Sequence, residues 1–358
     1  MSVPDTMRGV VLTGFGGFDK LEYRIDLPVP RPGPGEVLIK VGAAGVNNTD
    51  INTRIGWYSP SVEGSTAAGG SGGFAEAQGE GWSGTQFTFP RIQGIDAAGR
   101  IVAVGEGVGQ TRIGERVLVE PALRRANGMT DFFGSECDGG FAEYAVAPAA
   151  HSHAVRCALS EVELASFPCA YSTAENLLHR SKVAAGERVL VTGASGGVGS
   201  AAVQLARRRG AIVTALAGAS KHRAVADLGA SEVLDRHAPL ENNAYDAVID
   251  VVGGSGFGQL LQALRPGGRY ASSGAIAGPL VELDLRTLYL KDLTLFGCTA
   301  LDDGVFASLV GHIERGEVRP VVCATFPLEK IEAAQRVFLE KRHVGKIVLT
   351  VDSASPAR

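Results

Sequence analysis

The chain from Glu187 to Gly210 reads ERVLVTGASGGVGSAAVQLARRRG, and no other stretch restricts the fold as tightly. A short β-branched run (Arg188 to Thr192) leads into a glycine turn (Gly193 to Gly199), and Val203, Leu205 and Ala206 begin the apolar face of a helix. A strand, turn and helix in that succession leave free N–H groups and a positive dipole end at the turn, which suits the pyrophosphate of a dinucleotide. Gly196 lets the backbone approach such a group, Gly199 lets the helix pack close to the strand, and Ser195, Gly197 and Val198 complete the turn. The first glycine of the usual G-x-G-x-x-G is Ala194 here, so the turn alone is weak evidence. A second apolar strand, Ala211 to Leu216, follows at the right distance and favours a nucleotide pocket over a phosphate-free glycine turn.

The end of that second strand bears on which dinucleotide is bound. An acidic side chain there hydrogen-bonds the ribose 2′-hydroxyl of NAD. From Ala215 the chain reads ALAGASKHRAV, with Ser220, Lys221, His222 and Arg223 where the acid would stand. A hydroxyl and a group of cations bind a 2′-phosphate that a carboxylate would repel, so NADPH is favoured over NADH. Arg236, after the short strand Glu232 to Asp235, is a second candidate cation for that phosphate. The competing reading is that these are ordinary exposed charges at a helix start.

With 358 residues, 45% hydrophobic and 20% charged, the chain has room for two domains. Its net charge of -4 and lack of a basic block argue against nucleic acid as a partner. No apolar run reaches the length of a membrane span and the N-terminus lacks the order of a signal peptide, so a cytoplasmic enzyme is expected. Five scattered cysteines without a C-x-x-C give neither a disulfide framework nor a cysteine-rich metal knot. Before residue 157 short strands dominate: Gly9 to Leu12, Glu36 to Ala43, Ala98 to Val104, Arg116 to Glu120 and Phe141 to Val146. From 158 to about 300 strands alternate with helices, ending in Tyr245 to Val252, Arg269 to Ser273 and Leu293 to Gly297, the pattern of a doubly wound parallel sheet. A last helix (Leu328 to Lys341) and strand (Lys346 to Val351) could return to complete the first domain. Ser59 to Phe89 is glycine-rich and aperiodic, either a surface excursion or an insertion near a site, with Trp57, Tyr58 and Trp82 at its edges or within it.

Seven collinear segments resemble the medium-chain dehydrogenase/reductase superfamily: PGPGEVLIKVGAAGVNNTD (Pro32 to Asp50), GIDAAGRIVAVGEGV (Gly94 to Val108), GERVLV (Gly114 to Val119), GGFAEYAV (Gly139 to Val146), the glycine turn, LRPGGRY (Leu264 to Tyr270) and HVGKIVL (His343 to Leu349). The resemblance implies an α/β protein. A GroES-like β-rich catalytic domain is built from residues 1–157 and 301–358, around a Rossmann domain at 158–300 with the cofactor in the cleft. In zinc alcohol dehydrogenases of the superfamily, ligands come from a cysteine in G-V-C-x-[ST]-D, a histidine in G-H-E and a later cysteine or acidic residue. Those positions carry Asn47, Ile95 and Cys169 here, so no metal site is expected. What remains resembles the zinc-free branch of quinone oxidoreductases, zeta-crystallin-like proteins and enoyl reductases. That branch implies hydride transfer from NADPH to an apolar quinone or α,β-unsaturated carbonyl.

By the same resemblance, Asn47 falls beside the nicotinamide and Thr49 at the hydroxyl of the alcohol dehydrogenase proton relay. Asn52 stands where several relatives have an acceptor-contacting tyrosine, and Tyr58 is the substitute for it. Thr173 packs on the nicotinamide in relatives, and Lys346 reaches the cleft from the returning strand. Val252, Gly253, Ser273, Gly274, Phe296 and Cys298 lie at carboxyl ends of parallel strands, where open α/β sheets bind ligands. The segment Arg286 to Phe296 is apolar enough to pair across a homodimer, as in relatives, or to form an internal strand. An alcohol dehydrogenase or ketoreductase using Thr49, and a non-catalytic NADPH-binding protein, are the alternative functions.

Overall fold

The computed structural model describes residues 3–77, 79, 86–124 and 128–351. Two principal sheets organise it. The first has seven strands, in the order Ser152–Ala154, Arg116–Val119, Ala98–Val104, Glu36–Val46, Lys346–Thr350 and Val322–Pro327, with Tyr144–Pro148 also paired to Glu36–Val46. Glu36–Val46 is its axis, contacting Ala98–Val104, Tyr144–Pro148 and Lys346–Thr350 antiparallel. Its apolar run Val37 to Ile39 and its small residues from Ala43 to Gly45 are all buried, as expected for a strand enclosed on several sides. A smaller sheet, Leu21–Pro28, Thr6–Leu12 and Arg91–Ile92, lies beside it.

The second principal sheet is parallel throughout, with six strands in the order Glu232–Asp235, Ile212–Ala217, Arg188–Val191, Tyr245–Asp250, Leu264–Ser272 and Thr294–Gly297. In chain sequence that order is 3-2-1-4-5-6, that of a Rossmann sheet, whose switch point falls beside Arg188–Val191. The runs VLV, VTALA and AVID are apolar because helices cover both faces of such a sheet. Helices Pro168–Arg180, Gly197–Arg208 and Val305–Glu314 share one continuous core with the strands.

Element positions agree closely with the sequence reading, and the differences are local. The strand expected at Phe141 to Val146 runs Tyr144–Pro148 instead. The amides of Gly140 and Phe141 donate to Gly94 and Gln93, which takes them out of the ladder. The expected helix Leu328 to Lys341 opens as a 3-10 turn, Leu328–Lys330, before Ile331–Leu339. Thr173 does not open a helix but sits inside Pro168–Arg180, because Pro168 occupies the first helical position where its missing N–H costs nothing. The described part of the glycine-rich segment is built rather than open. It carries the short helix Thr66–Gly69, Trp57 Nε1 donates to Gly64 O at 2.8 Å, and the buried Arg54 guanidinium donates to Gly70 O at 2.7 Å. Trp82 lies outside the described residues.

Candidate active site

A cleft of about 440 Å³ opens between the two sheets. Asn47, Thr49, Asn52, Tyr58, Ile95 and Lys346 line it from one side, and Thr173, Gly197, Val198, Ser273, Gly274 and Cys298 from the other. The first wall is formed where Glu36–Val46 ends and the helix Asn48–Ile55 begins. Asp50 accepts from the Asn47 amide at 2.7 Å and caps that helix end. Its carboxyl is pushed up to about 7, first by burial and then, after the opposing Asn47 bond, by the nearby Asp96 charge.

Behind Asn47 lies a closed polar network. Lys346 Nζ donates to Asn47 Oδ1 at 2.5 Å, to Asp96 Oδ2 at 2.8 Å and to Val46 O at 3.2 Å, using all three ammonium protons. Asn47 Nδ2 donates to Asp96 Oδ2 at 2.8 Å and to Gly45 O at 3.3 Å. The other Asp96 oxygen accepts from the Cys169 amide at 2.6 Å. A Cβ at Gly45 would stand 2.3 Å from Asp96 Oδ2, so the approach of carboxylate to backbone requires glycine there. Asn47 therefore meets the cleft with both amide hydrogens already donated inward.

Zinc does not fit this wall. Ile95 has no donor atom, and the Asn47 amide is consumed by Lys346 and Asp96. That leaves Cys169 as the one ligand atom of the three positions, whereas catalytic zinc takes three protein ligands. Among the described residues no group of three or more His, Cys, Asp or Glu side chains could hold a metal ion.

Two hydroxyls face the cleft in front of the network. Tyr58 Oη donates to Thr49 Oγ1 at 3.2 Å, and the Asn52 side chain also bonds the Tyr58 hydroxyl. Burial pushes the phenol well above the usual tyrosine range, and the Thr49 and Asn52 bonds pull it back in part. Trp57 packs edge-on against the Tyr58 ring, with centroids 5.5 Å apart.

The opposite wall fits a dinucleotide. Gly196 precedes the helix Gly197–Arg208 with no side chain capping it, so the first amides point outward as phosphate donors. A Cβ at Gly199 would lie 2.2 Å from Gly193 O, so only glycine allows this closeness of helix and turn. Thr192 Oγ1 and Tyr270 Oη both donate to the buried Asp250 at 2.5 Å, and Asp250 accepts from the Val252 and Gly253 amides, which fixes the strand ends beside the turn. Ser273 Oγ is buried in the cleft without a partner, as expected of an atom that waits for a ligand. Phe296 turns into the core, and its neighbours Gly297 and Cys298 line the cleft. Sequence reasoning named Val252, whereas Val251 forms the lining.

Cations collect at the far end of the turn. Lys221 Nζ reaches Ser195 Oγ at 3.4 Å and Lys341 O at 2.5 Å, and Arg236 stands against Gly218. Ser220 precedes Lys221 in the same 3-10 turn, Ala219–Lys221. Lys341, which the sequence reading passed over, donates to Asn48 Oδ1 at 2.8 Å. Burial and the Lys221 charge lower its ammonium to about 7. Nearby, His343 is held down to about 4, mainly by burial and then by Lys341 and Lys221, and its Nδ1 is buried without a partner. Such a crowd of repelling cations is a natural cradle for a phosphate.

A Rossmann sheet joined to a β-rich domain by a glycine-turned cleft defines a nicotinamide-dependent oxidoreductase of the alcohol dehydrogenase type. Residues 33–157 match the alcohol dehydrogenase GroES-like domain family and residues 224–349 the zinc-binding dehydrogenase family. The chain is 33% identical to the quinone oxidoreductase of Lama guanicoe over 364 residues, covering 96% of this chain and 97% of that one. It is 29% identical to the human synaptic vesicle membrane protein VAT-1 homolog, covering 96% and 86%. A solved structure described as a candidate alcohol dehydrogenase, from Sinorhizobium meliloti 1021, superimposes with a TM-score of 0.87 at 46% identity and 98% coverage of both chains. The chain belongs to the medium-chain dehydrogenase/reductase superfamily, in its quinone oxidoreductase-like branch. No helix among the described residues is long and apolar enough to cross a membrane.

Proposed function

We propose that the protein is a zinc-independent, NADPH-dependent reductase of a quinone or an α,β-unsaturated carbonyl. The observation that carries the reading is the Lys346 ammonium, bonded to both Asn47 and Asp96 where zinc-dependent relatives gather metal ligands. Without a Lewis acid to polarise an oxygen, the acceptor must be electrophilic already, by conjugation. The bound nicotinamide supplies the hydride from its C4.

The chain's own residues do the rest. Lys221, Arg236 and Lys341, with Ser220, hold the 2′-phosphate, while Ser195, Gly196, Gly197 and Val198 receive the pyrophosphate. Thr173, Ser273, Gly274 and Cys298 bound the nicotinamide end, and Asn47, fixed by Lys346, forms its rigid floor. Thr49 and Tyr58 supply a proton to the reduced acceptor, and Trp57, Phe132, Ile276 and Leu301 provide apolar walls that exclude water. We place the catalytic domain at 1–157 and 301–358 and the Rossmann domain at 158–300, in a cytoplasmic homodimer. Support for the dimer comes from Thr294–Gly297, an edge strand flanked by exposed Leu285, Tyr289 and Leu290.

The test is NADPH oxidation by metal-stripped protein with a quinone and a conjugated enone in parallel, and NADH as control. Turnover that survives chelation and prefers NADPH supports the reading; activity that needs added zinc overturns it. Oxidation of simple alcohols by NADP+ would instead favour a Thr49-relayed alcohol dehydrogenase, a second reading supported by the likeness to the Sinorhizobium meliloti structure.

A further inference from the structure

We propose that Thr66, in the glycine-rich segment, is a positioning residue that orients the Tyr58 phenol for proton delivery. The inference rests on the functional reading above and extends it to a part of the chain that no motif covers. Thr66 is 2% exposed, and its hydroxyl donates to Asn52 Oδ1 at 2.9 Å. An amide oxygen occupied in this way leaves Asn52 with its NH2 facing Tyr58, and the sense of the Asn52 bond, which favours the ionised phenol, agrees with a donor there. Tyr58 in turn directs its own proton at Thr49, at the cleft surface.

The order of these bonds has a direction. Thr66 sets Asn52, Asn52 sets the lone pairs of Tyr58, and the phenolic proton is left on the Thr49 hydroxyl at the cleft surface. When hydride adds to the β-carbon of an enone, the resulting enolate takes the Tyr58 proton, either directly or by way of Thr49. The O–H bond of the phenol breaks, a new bond to hydrogen forms on the acceptor, and the phenolate is stabilised by the Asn52 N–H until water returns a proton. The Asp50 carboxylate, when ionised, opposes the phenolate, and the Asn52 donor offsets it.

Thr66 is itself held from across the cleft. Its backbone amide donates to Ile276 O at 3.1 Å, and Ile276 belongs to the loop that follows Leu264–Ser272 in the Rossmann sheet. The amide orientation of Asn52 thus depends on a residue anchored in the opposite wall, so the acid is aligned only when the two walls are together.

The experiment compares Thr66→Val, which keeps the shape and loses the hydroxyl, with Thr66→Ser, which restores it. Two readouts are needed. The first is kcat and its solvent isotope effect for enone reduction, with KM for NADPH and thermal midpoint as controls. Thr66→Val is expected to lower kcat about tenfold, a fraction of the full contribution of a general acid, and to enlarge the isotope effect. Thr66→Ser is expected to recover both. The second readout needs no turnover: the Tyr58 ring resonances of ring-labelled protein, assigned with Tyr58→Phe, should shift in Thr66→Val and Asn52→Leu but not in Thr66→Ser. Unmoved Tyr58 resonances in Thr66→Val overturn the proposal, as does equal loss of kcat and thermal midpoint in both Thr66 variants. Shifted resonances in a protein that turns over no acceptor would sink the functional reading while leaving the geometry of the proposal standing.

Discussion

The two ends of the cleft hold charged groups in opposite states. Behind Asn47, every proton of Lys346 is committed, and Asp96 is bonded on both oxygens. Beside Ser195, the Lys221 ammonium lies near Lys341 and the Arg236 guanidinium and bonds oxygens of Ser195 and Lys341 rather than a carboxylate, and His343 Nδ1 has no partner among the described residues. A saturated network fixes shape and gains nothing from a ligand, whereas a crowd of like charges is relieved only by an anion. The contrast separates a wall closed on its own bonds from an end that would gain from an anion.

The largest effect should come from opening the saturated end. Lys346→Met leaves Asp96 buried without its cation and should cost about 3–5 kcal/mol of stability, read from denaturant unfolding. A loss below about 1 kcal/mol would show that Asp96 reaches water or a proton, and that the network is less closed than its bonds imply. Next in size is the unsaturated end. Lys221→Ala should weaken NADPH by about 1.5–3 kcal/mol, the range for hydrogen bonds to charged groups, and leave NADH almost unchanged in titration calorimetry. Equal losses for both cofactors would place Lys221 on the pyrophosphate instead.

A pH dependence sharpens the same contrast. Desolvation and the Lys221 charge lower the Lys341 ammonium to about 7 in the free protein, and on the proposed reading a 2′-phosphate would favour the charged form and raise its pKa on binding. Binding then takes up a proton above neutrality, and NADPH affinity should fall by up to about tenfold per pH unit from pH 7 toward the raised value. Calorimetry in buffers of different ionisation enthalpy measures that uptake directly, and Lys341→Arg, always charged, should abolish it. The smallest effect is expected at Arg223, an exposed residue of the helix His222–Ala226 that the sequence also offered as a phosphate ligand. Arg223→Ala should change stability by no more than about 0.5 kcal/mol and leave NADPH binding as it was.

Legibility from sequence follows the length of the contacts. The glycine turn, its strand and its helix are local, and their pattern alone located Gly193 to Gly199 and the parallel strands around it. Position 47 was also visible, as the absence of a ligand at a place where relatives have one. What Asn47 does was not visible, because its partners lie 49 residues away at Asp96 and 299 away at Lys346, and no local pattern encodes such meetings. Lys341 was passed over for the same reason, since it reads as one more surface charge until the returning chain brings it beside Lys221. The glycine-rich segment was opaque for a different reason: its order comes from single bonds to Arg54, Asn52 and Trp57 rather than from periodicity.

The returning strand also sets a timetable for synthesis. Gly345 N donates to Ser195 O at 2.9 Å, and the same short stretch delivers Lys341 and Lys346 to opposite ends of the cleft. On the ribosome, the Rossmann sheet emerges and can close well before this stretch is made. Until then Asp96 has no cation and the glycine turn lacks one of its neighbours. On the proposed reading, cofactor capture would be a late event in the life of the polypeptide, and a nascent chain stalled short of residue 341 should fold its parallel sheet yet fail to retain NADPH.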